Sequence, residues 1–398
     1  MDQSRLSAWW FDRLVVKPSQ TKTPGEALAA SGWARSVGGA NPYLSIFSRN
    51  GCPREAIETA YRNLEIHELP SARGCTYQLP SEDFGLGLSA GASFQSEVSI
   101  AEKHFGFTAN DLDKLCHEAL QVINDQPQDP ATIKKQLGDK VRNFGEEGKK
   151  RGLTTSLPMA LGRLQSQAEI RRVPKDGRLD QQSFGYVRWT DHRPTLVPPD
   201  AALEKLAQRY WEWVGIARLE DFKWFSSAGV NAIKQALQGL DLQPIEDGSP
   251  FLASPHAATE FKDFTPTTGH VALLSGLDSL FLLRRDFLSF MPAEVASIEV
   301  LSDKKMAAGG GLADLTANVV VKDARIIGYW EFDPAAGELV EALFEKPDAK
   351  VTQKIEEMES FIREELGDCR SFSLDSPASR QPALARLREL QAQHYRRA

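Results

Sequence analysis

The chain has 398 residues, of which 41% are hydrophobic and 25% are charged, and its formal net charge is −7. These values indicate a folded protein of several domains, and they exclude a disordered chain and a protein that coats nucleic acid through its overall charge. No apolar run approaches the ~18 residues of a membrane helix, and the four cysteines show no paired spacing. We therefore expect a cytosolic protein, nucleoid-associated if bacterial, with no membrane segment, no metal and no other cofactor.

The first 95 residues are predicted to form a winged helix, in which three helices are closed by a two-stranded ribbon. Helical spacing and start signals indicate helices at 4–14, from Thr23-Pro24 onward, and at 52–63. Strands are predicted at 65–68 and 75–79, and Ser81 is a typical N-cap for the helix after them. A glycine-rich bend before the third helix carries Arg35 and Ser36, and such a bend can approach a phosphate closely.

Residues 96–195 are predicted to repeat this pattern with a basic wing. A recognition helix is predicted at 153–165, followed by a hairpin with strands at 169–173 and 185–189. Between residues 149 and 193, ten Lys and Arg stand against four Asp and Glu, a local balance of +6. Such a surface is suited to phosphate. The residues predicted to contact DNA here are Thr155, Ser156, Arg163, Arg171, Arg172, Lys175 and Arg178.

The rest of the chain is predicted to form a third winged helix, a small β-rich domain and a helical tail, which makes the fold class α+β. Helices are expected at 201–214, 219–225, 230–240 and 350–366, and strands at 271–274, 280–283 and 318–332. The aromatic residues between 211 and 225 are interpreted as core, because their spacing follows helix faces. The predicted domains are 1–95, 96–195, 196–255, 256–345 and 346–398.

The stretch 68–83 has the highest density of side chains that can carry chemistry. It places a basic residue, a phenol and two carboxylates around one glycine: Arg73, Gly74, Tyr77, Glu82 and Asp83. One interpretation is a strand-to-helix junction in which Arg73 pairs with an acid at the surface. The other is a functional site, for which Asp278 is a more distant candidate carboxylate.

Arg73-Gly74, Tyr77 and Pro80-Ser-Glu-Asp83 resemble the arginine-glycine-threonine-x-histidine and glutamate-aspartate segment of the AlkZ/YcaQ family of winged-helix DNA glycosylases. Cys75 stands where that family usually has threonine, and Tyr77 where it has histidine. Segments that begin at Arg209 and at Leu273 also resemble the family, so the resemblance extends from Ser4 to about Leu343.

This resemblance implies a DNA glycosylase that excises alkylated or crosslinked purines. The family positions water with a glutamine, an apolar residue, then glutamine or aspartate, but this chain has Ala34 and Ser36 at those two places. The residues expected to take part in catalysis are Ser36, Tyr77, Glu82 and Asp83, and Arg35 and Arg73 are expected to contact DNA.

The expected partner is duplex DNA, including damaged duplex, and the sequence leaves the oligomeric state open. The alternative function is a non-catalytic module on the same fold that binds DNA or a lesion as a regulator or sensor. The two functions differ in whether Ser36, Arg73, Tyr77 and a carboxylate converge beside a basic channel.

Overall fold

The computed structural model describes residues 2–92, 96–181, 183–302 and 305–397. The fold is α+β, as predicted, because helices alternate with small antiparallel sheets. The helices are α1 (Gln3–Phe11), α2 (Pro24–Ser31), α3 (Asn41–Asn50), α4 (Arg54–Arg62), α5 (Phe84–Gly91), α6 (Ser96–Phe105), α7 (Ala109–Val122), α8 (Pro130–Leu137), α9 (Gly145–Lys150), α10 (Leu157–Ser166), α11 (Pro199–Val214), α12 (Leu219–Ser226), α13 (Val230–Ala236), α14 (Pro255–Asp263), α15 (Ser279–Leu282), α16 (Ala293–Ala296), α17 (Ala349–Phe361) and α18 (Pro377–Gln393). The strands are β1 (Ala34–Arg35), β2 (Ile66–Pro70), β3 (Thr76–Pro80), β4 (Ile170–Pro174), β5 (Phe184–Arg188), β6 (Ile216–Arg218), β7 (Gln243–Pro244), β8 (Phe251–Ala253), β9 (Val271–Leu274), β10 (Glu299–Ser302), β11 (Lys305–Ala308), β12 (Asn318–Lys322), β13 (Arg325–Asp333) and β14 (Glu338–Leu343).

Helices followed by a small antiparallel sheet recur along the chain. The first sheet has the order β1-β3-β2, the second pairs β4 with β5, and the third has the order β6-β8-β7. A hairpin of β10 and β11 and a four-stranded sheet, β14-β13-β12-β9, follow. The predicted helix and hairpin at 153–189 are confirmed, since α10 leads into β4 and β5. The residue bounds of the five predicted domains stay a prediction.

Two elements near the N-terminus position the site, and the sequence pattern does not predict either. α3 follows the glycine-rich bend directly and is terminated by Gly51, whose φ of 69° suits glycine. The helix has only ten residues, which is too short for its apolar period to stand out in the sequence. β1 has two residues, too few to show an alternating pattern. By contrast α2 begins where predicted, because the Thr23 side chain accepts a hydrogen bond from the Glu26 N–H.

Two local predictions are wrong. Residues 280–283 do not form a strand, because Asp278 accepts a hydrogen bond from the Leu280 N–H (2.9 Å) and thereby caps α15. A short apolar run does not distinguish strand from helix, whereas the cap does. Ser81 is not an N-cap either, because it is the first residue of a 3₁₀ turn, Ser81–Asp83. The residue before this turn is Pro80, and no described side chain caps the turn.

Among the described residues, the buried apolar side chains fall into three clusters. One extends from Leu6 in α1 to Leu390 in α18 and includes the aromatic residues of α11 and α12, so their interpretation as core is confirmed. A second joins α3 and α4 to α17 and the four-stranded sheet, and a third belongs to residues 101–186 alone. The two ends of the chain therefore share a core. Within the described ranges, no helix is both long and apolar enough to cross a membrane.

Candidate active site

The candidate site lies on one face of the first sheet. Gln78 in β3 is directly opposite Ala34 in β1 and Glu68 in β2. Directly opposed side chains in an antiparallel sheet share a face, so these three side chains lie together. Ser36 extends the ladder beyond β1, because its N–H donates to a carbonyl of β3 (3.0 Å).

A hydroxyl, a carboxylate and a guanidinium meet on this face. Ser36 Oγ donates a hydrogen bond of 2.5 Å to Glu68 Oε2, and Arg172 from β4 forms an ion pair of 2.7 Å with Glu68 Oε1. The Arg172 guanidinium also lies over the Phe184 ring, 4.7 Å from its centroid. Both Glu68 oxygens are therefore held, yet the side chain remains 21% exposed. A fixed, partly exposed carboxylate can take a proton from water or stabilise a cation in front of it.

Sequence reasoning missed Glu68 because its partner is distant. The residue opens the dense stretch 68–83, but Ser36 is 32 positions away and follows a strand too short to recognise. The alternation along β2 and β3 was the available signal, since it places Glu68 and Gln78 on one face. Nothing in the sequence pattern indicates that Arg172, in another sheet, reaches the same carboxylate.

Gln78 is the second residue that sequence reasoning missed. Its side chain is fully buried, and neither amide atom has a hydrogen-bond partner within the protein. Burying an amide without a hydrogen-bond partner lowers the stability of the folded state, so such a group in a native protein calls for a specific explanation. Its cross-strand neighbour Ala34 stands at the first of the two places that, by the resemblance noted in the sequence, hold the water-positioning side chains of the AlkZ/YcaQ family. An amide is thus present beside this position, on the adjacent strand.

Tyr77 lies on the opposite face of the sheet from Glu68. It is directly opposite Arg35 in the ladder, and its ring packs edge-on against Trp33 and Phe225. Burial raises the pKa of Tyr77 to about 12, so its phenol stays protonated at neutral pH. The sheet therefore separates Tyr77 from the cluster of Ser36 and Glu68, and a catalytic role for Tyr77 stays a prediction.

Glu82 and Asp83 are held by one arginine of α11. Arg209 donates to Glu82 Oε1 (2.6 Å) and to Asp83 Oδ2 (3.0 Å), and Asp83 Oδ2 also accepts from Trp33 Nε1 (2.8 Å). Burial raises the pKa of Asp83 above its usual value, against the opposing effect of Arg209. Among the described residues, no hydrogen bond joins either carboxylate to Ser36. Their catalytic role stays a prediction, and the geometry favours Glu68.

Arg35, which precedes Ser36, and Arg73, in the turn before β3, remain candidates for DNA contact. Arg35 donates to the Thr76 carbonyl (3.3 Å), and its guanidinium lies over Tyr77. Arg73 has a left-handed backbone with φ of 60°, and its guanidinium lies 3.9 Å from the centroid of the Trp224 ring. Arg73 does not pair with Glu82 or Asp83, so the interpretation as a simple surface ion pair fails.

The predicted DNA contacts on α10 and the wing are largely held within the protein. Thr155 and Ser156 are buried, and Ser156 Oγ accepts from the Arg142 N–H (3.0 Å). Burial lowers the pKa of Arg171. The other cations form ion pairs of 2.5–3.6 Å: Arg163 with Asp113, Arg172 with Glu68, Lys175 with Asp129 and Arg178 with Asp180. A more exposed pair such as Lys175 with Asp129 contributes little and can exchange for phosphate, and DNA contact by all these residues stays a prediction.

An open cavity of about 600 Å³ lies beside Ser36. Its lining comes from the bend after β1, the turn before β3 and a segment near the C-terminus: Arg35, Ser36, Val37, Gly74, Cys75, Thr76, Phe372, Ser373, Leu374 and Asp375. A larger cavity of about 1050 Å³ lies between α5, α10, α11 and α12, but among its described lining residues Arg163 is the only charged one. The smaller cavity is therefore the candidate active site, because a held carboxylate adjoins it.

Comparison with known proteins gives concordant results. A family model described as "DNA glycosylase AlkZ-like" matches residues 26–361. The structure is similar to that of Streptomyces sahachiroi DNA glycosylase AlkZ, with a TM-score of 0.70 and 19% identity over 93% of this chain and 98% of that chain. No curated protein matches the sequence. The resemblance stated from the sequence is thus confirmed, and the chain belongs to the AlkZ-like DNA glycosylase family.

Proposed function

We propose that the protein hydrolyses the bond between an N-alkylated or crosslinked purine and its deoxyribose in duplex DNA. Membership of a glycosylase family supports the reaction class. The observation that carries the proposal is the Glu68 carboxylate, oriented by Ser36 and Arg172 next to the cavity that Ser36 lines. The family match does not favour the non-catalytic alternative. Of the four groups expected to converge, Ser36 and a carboxylate lie together, whereas Tyr77 lies on the opposite face of the sheet.

In the proposed reaction, Glu68 acts as base and as electrostatic stabiliser. As the bond to the purine nitrogen breaks, its electron pair leaves with the base and the sugar becomes cationic. The negative charge on Glu68 stabilises this cation, and water attacks C1′ while passing a proton to the carboxylate. Arg172 is a positioning residue, since its guanidinium holds the Glu68 carboxylate in place.

The leaving group limits the substrates. Ala34 and Ser36 do not supply the pair of polar side chains that positions water in the family. An N7-alkylated purine carries a positive charge and departs as a neutral base, so a smaller part of the barrier must be lowered by the protein. Unmodified bases are therefore outside the proposed substrate range. Arg35 and Arg73 are proposed to hold the phosphates that flank the damaged nucleotide.

Base release from synthetic duplexes tests this function. The protein is incubated with a duplex that contains one N7-methylguanine and, in parallel, with an unmodified duplex, and alkali-labile abasic sites are measured over time. We expect release above the rate without protein from the methylated duplex and none from the unmodified one. If the protein binds the methylated duplex and release equals the rate without protein, the hydrolytic function is wrong.

A substitution at Gln78 separates the effect of this residue on protein stability from its role in the proposed reaction. We expect Gln78→Met to raise the free energy of unfolding by about 1 kcal/mol, because it removes an unpartnered buried amide while keeping the side-chain length. Because Gln78 shares a face of the sheet with Glu68, we also propose that its amide orients the attacking water, and we expect base release to fall about tenfold. Urea denaturation and the release assay measure the two effects.

Gln165 provides the matched control for Gln78. It lies in α10, is 6% exposed, and its Nε2 also lacks a partner within the protein. Gln165→Met should change stability in the same direction and leave base release unchanged. Equal activity of the two variants would show that Gln78 has only a structural role.

A further inference from the structure

A segment near the C-terminus forms one wall of the cavity beside Ser36. Its backbone is joined to the bend after β1 by two hydrogen bonds, from the Ala40 N–H to the Arg370 carbonyl (2.8 Å) and from the Ser373 N–H to the Val37 carbonyl (3.1 Å). Gly39 lies against it so closely that a Cβ there would be 2.2 Å from the Ser371 carbonyl oxygen. The approach of the two segments therefore requires glycine at position 39.

Side chains at both ends hold this wall in place. Arg370 donates to the Asp180 carbonyl (2.8 Å) in the wing, and Arg380 donates to Asp368 (2.6 Å). Within the segment, the Phe372 N–H donates to Asp375 Oδ2 (2.8 Å), which closes a tight turn. The turn is thus fixed to the wing and to the bend that carries Ser36.

The turn presents two large apolar side chains to the outside. Phe372 is 47% exposed, and Leu374 is 92% exposed, the highest value among the exposed large hydrophobic side chains of the described residues. Both line the cavity. Apolar groups that lie exposed together on a turn held by hydrogen bonds to the neighbouring bend indicate a contact surface. The partner proposed for this cavity is DNA, whose apolar parts are the faces of its bases.

We propose that Leu374 and Phe372 enter the DNA stack and occupy the space left when the damaged nucleotide turns out toward Glu68. This inference rests on the proposed function, because a purine inside a duplex cannot reach the cavity without leaving the stack. Apolar side chains inserted between bases stabilise such an opened duplex by replacing lost stacking contacts. Leu374 and Phe372 lie in the wall of the same cavity as Ser36, where the sugar must be held.

The test compares duplex with single-stranded substrate. We expect Leu374→Ala and Phe372→Ala each to lower release of N7-methylguanine from duplex about tenfold, and to leave release from a single strand within about twofold of the original rate. Leu288→Ala is the matched control, since Leu288 is also exposed, at 45%, and does not line this cavity. It should change neither rate. Unchanged release from duplex by both cavity variants would overturn the proposal.

A fluorescence measurement keeps this inference separate from the hydrolytic function. A duplex with 2-aminopurine next to the methylated guanine in the same strand should brighten on binding the original protein, because the 2-aminopurine loses its stacking partner, and should brighten less with Leu374→Ala. Brightening that depends on Leu374, without any base release, would support the inserted side chains and refute hydrolysis. Brightening that is the same in all variants would refute insertion. If the protein forms a dimer that Leu374→Ala dissociates, the turn is instead a contact surface for a second copy of the chain.

Discussion

Glu68→Gln should lower release of N7-methylguanine at least ~100-fold and leave DNA binding intact. Glutamine keeps the length of the side chain and can still accept the hydrogen bond from Ser36 Oγ. It removes the negative charge that faces the sugar cation and the base that takes the proton from water. Single-turnover release and a gel-shift titration measure the two properties on the same duplex.

Glu82→Gln is the matched control for this prediction. Glu82 carries the same functional group, and the sequence pattern predicts a catalytic role for it, but its carboxylate pairs with Arg209 and is 62% exposed. We expect release by this variant within about twofold of the original, since an exposed ion pair contributes little. A large loss in Glu82→Gln together with full activity in Glu68→Gln would move the site to the Arg209 cluster.

Asp278→Ala should lower the free energy of unfolding by about 3–5 kcal/mol. Asp278 accepts two hydrogen bonds from Arg49, of 2.5 and 2.7 Å, and the side chains of this pair are 1% and 0% exposed. Removing the carboxylate leaves a buried guanidinium without its counter-charge, and it also removes the cap of α15. This buried pairing favours a structural role for Asp278, and its candidate catalytic role stays a prediction.

Asp314→Ala provides the comparison for Asp278, because its ion pair with Arg285 is exposed, with side chains 52% and 41% accessible. Its loss should cost less than ~1 kcal/mol. Urea denaturation of both variants at one pH gives the difference. A cost for Asp278→Ala as small as that for Asp314→Ala would contradict the structural role.

The parts of the fold that the sequence predicts well have a clear local period or start signal. α10 with the β4 and β5 hairpin, and α11 to α13, follow apolar spacing and lie close to their predicted positions. Predictions fail where a short element depends on its surroundings. β1 exists because it pairs with β3, and α15 exists because Asp278 caps it.

The candidate site shows the same limit more strongly. Arg35, Ser36 and Gly74 line one cavity, whereas Tyr77, which was expected to join Ser36, lies on the other face of the sheet. The carboxylate beside Ser36 is Glu68 because strand register, and not sequence distance, determines which acid faces it. The ion pair with Arg172 depends on how the β4 and β5 hairpin lies against the first sheet, which no local pattern encodes.

The contact between the Ser36 bend and the segment at 370–373 also bears on biosynthesis. Translation proceeds from the N-terminus, so Val37 and Ala40 emerge from the ribosome more than three hundred residues before their backbone partners Ser373 and Arg370. The buried cluster that contains Leu6 likewise includes Leu390, so it is complete only after Leu390 has been synthesised. Contacts of such large sequence separation form slowly, after local helices and hairpins. The nascent chain therefore completes this candidate cavity only after residue 373 has been synthesised.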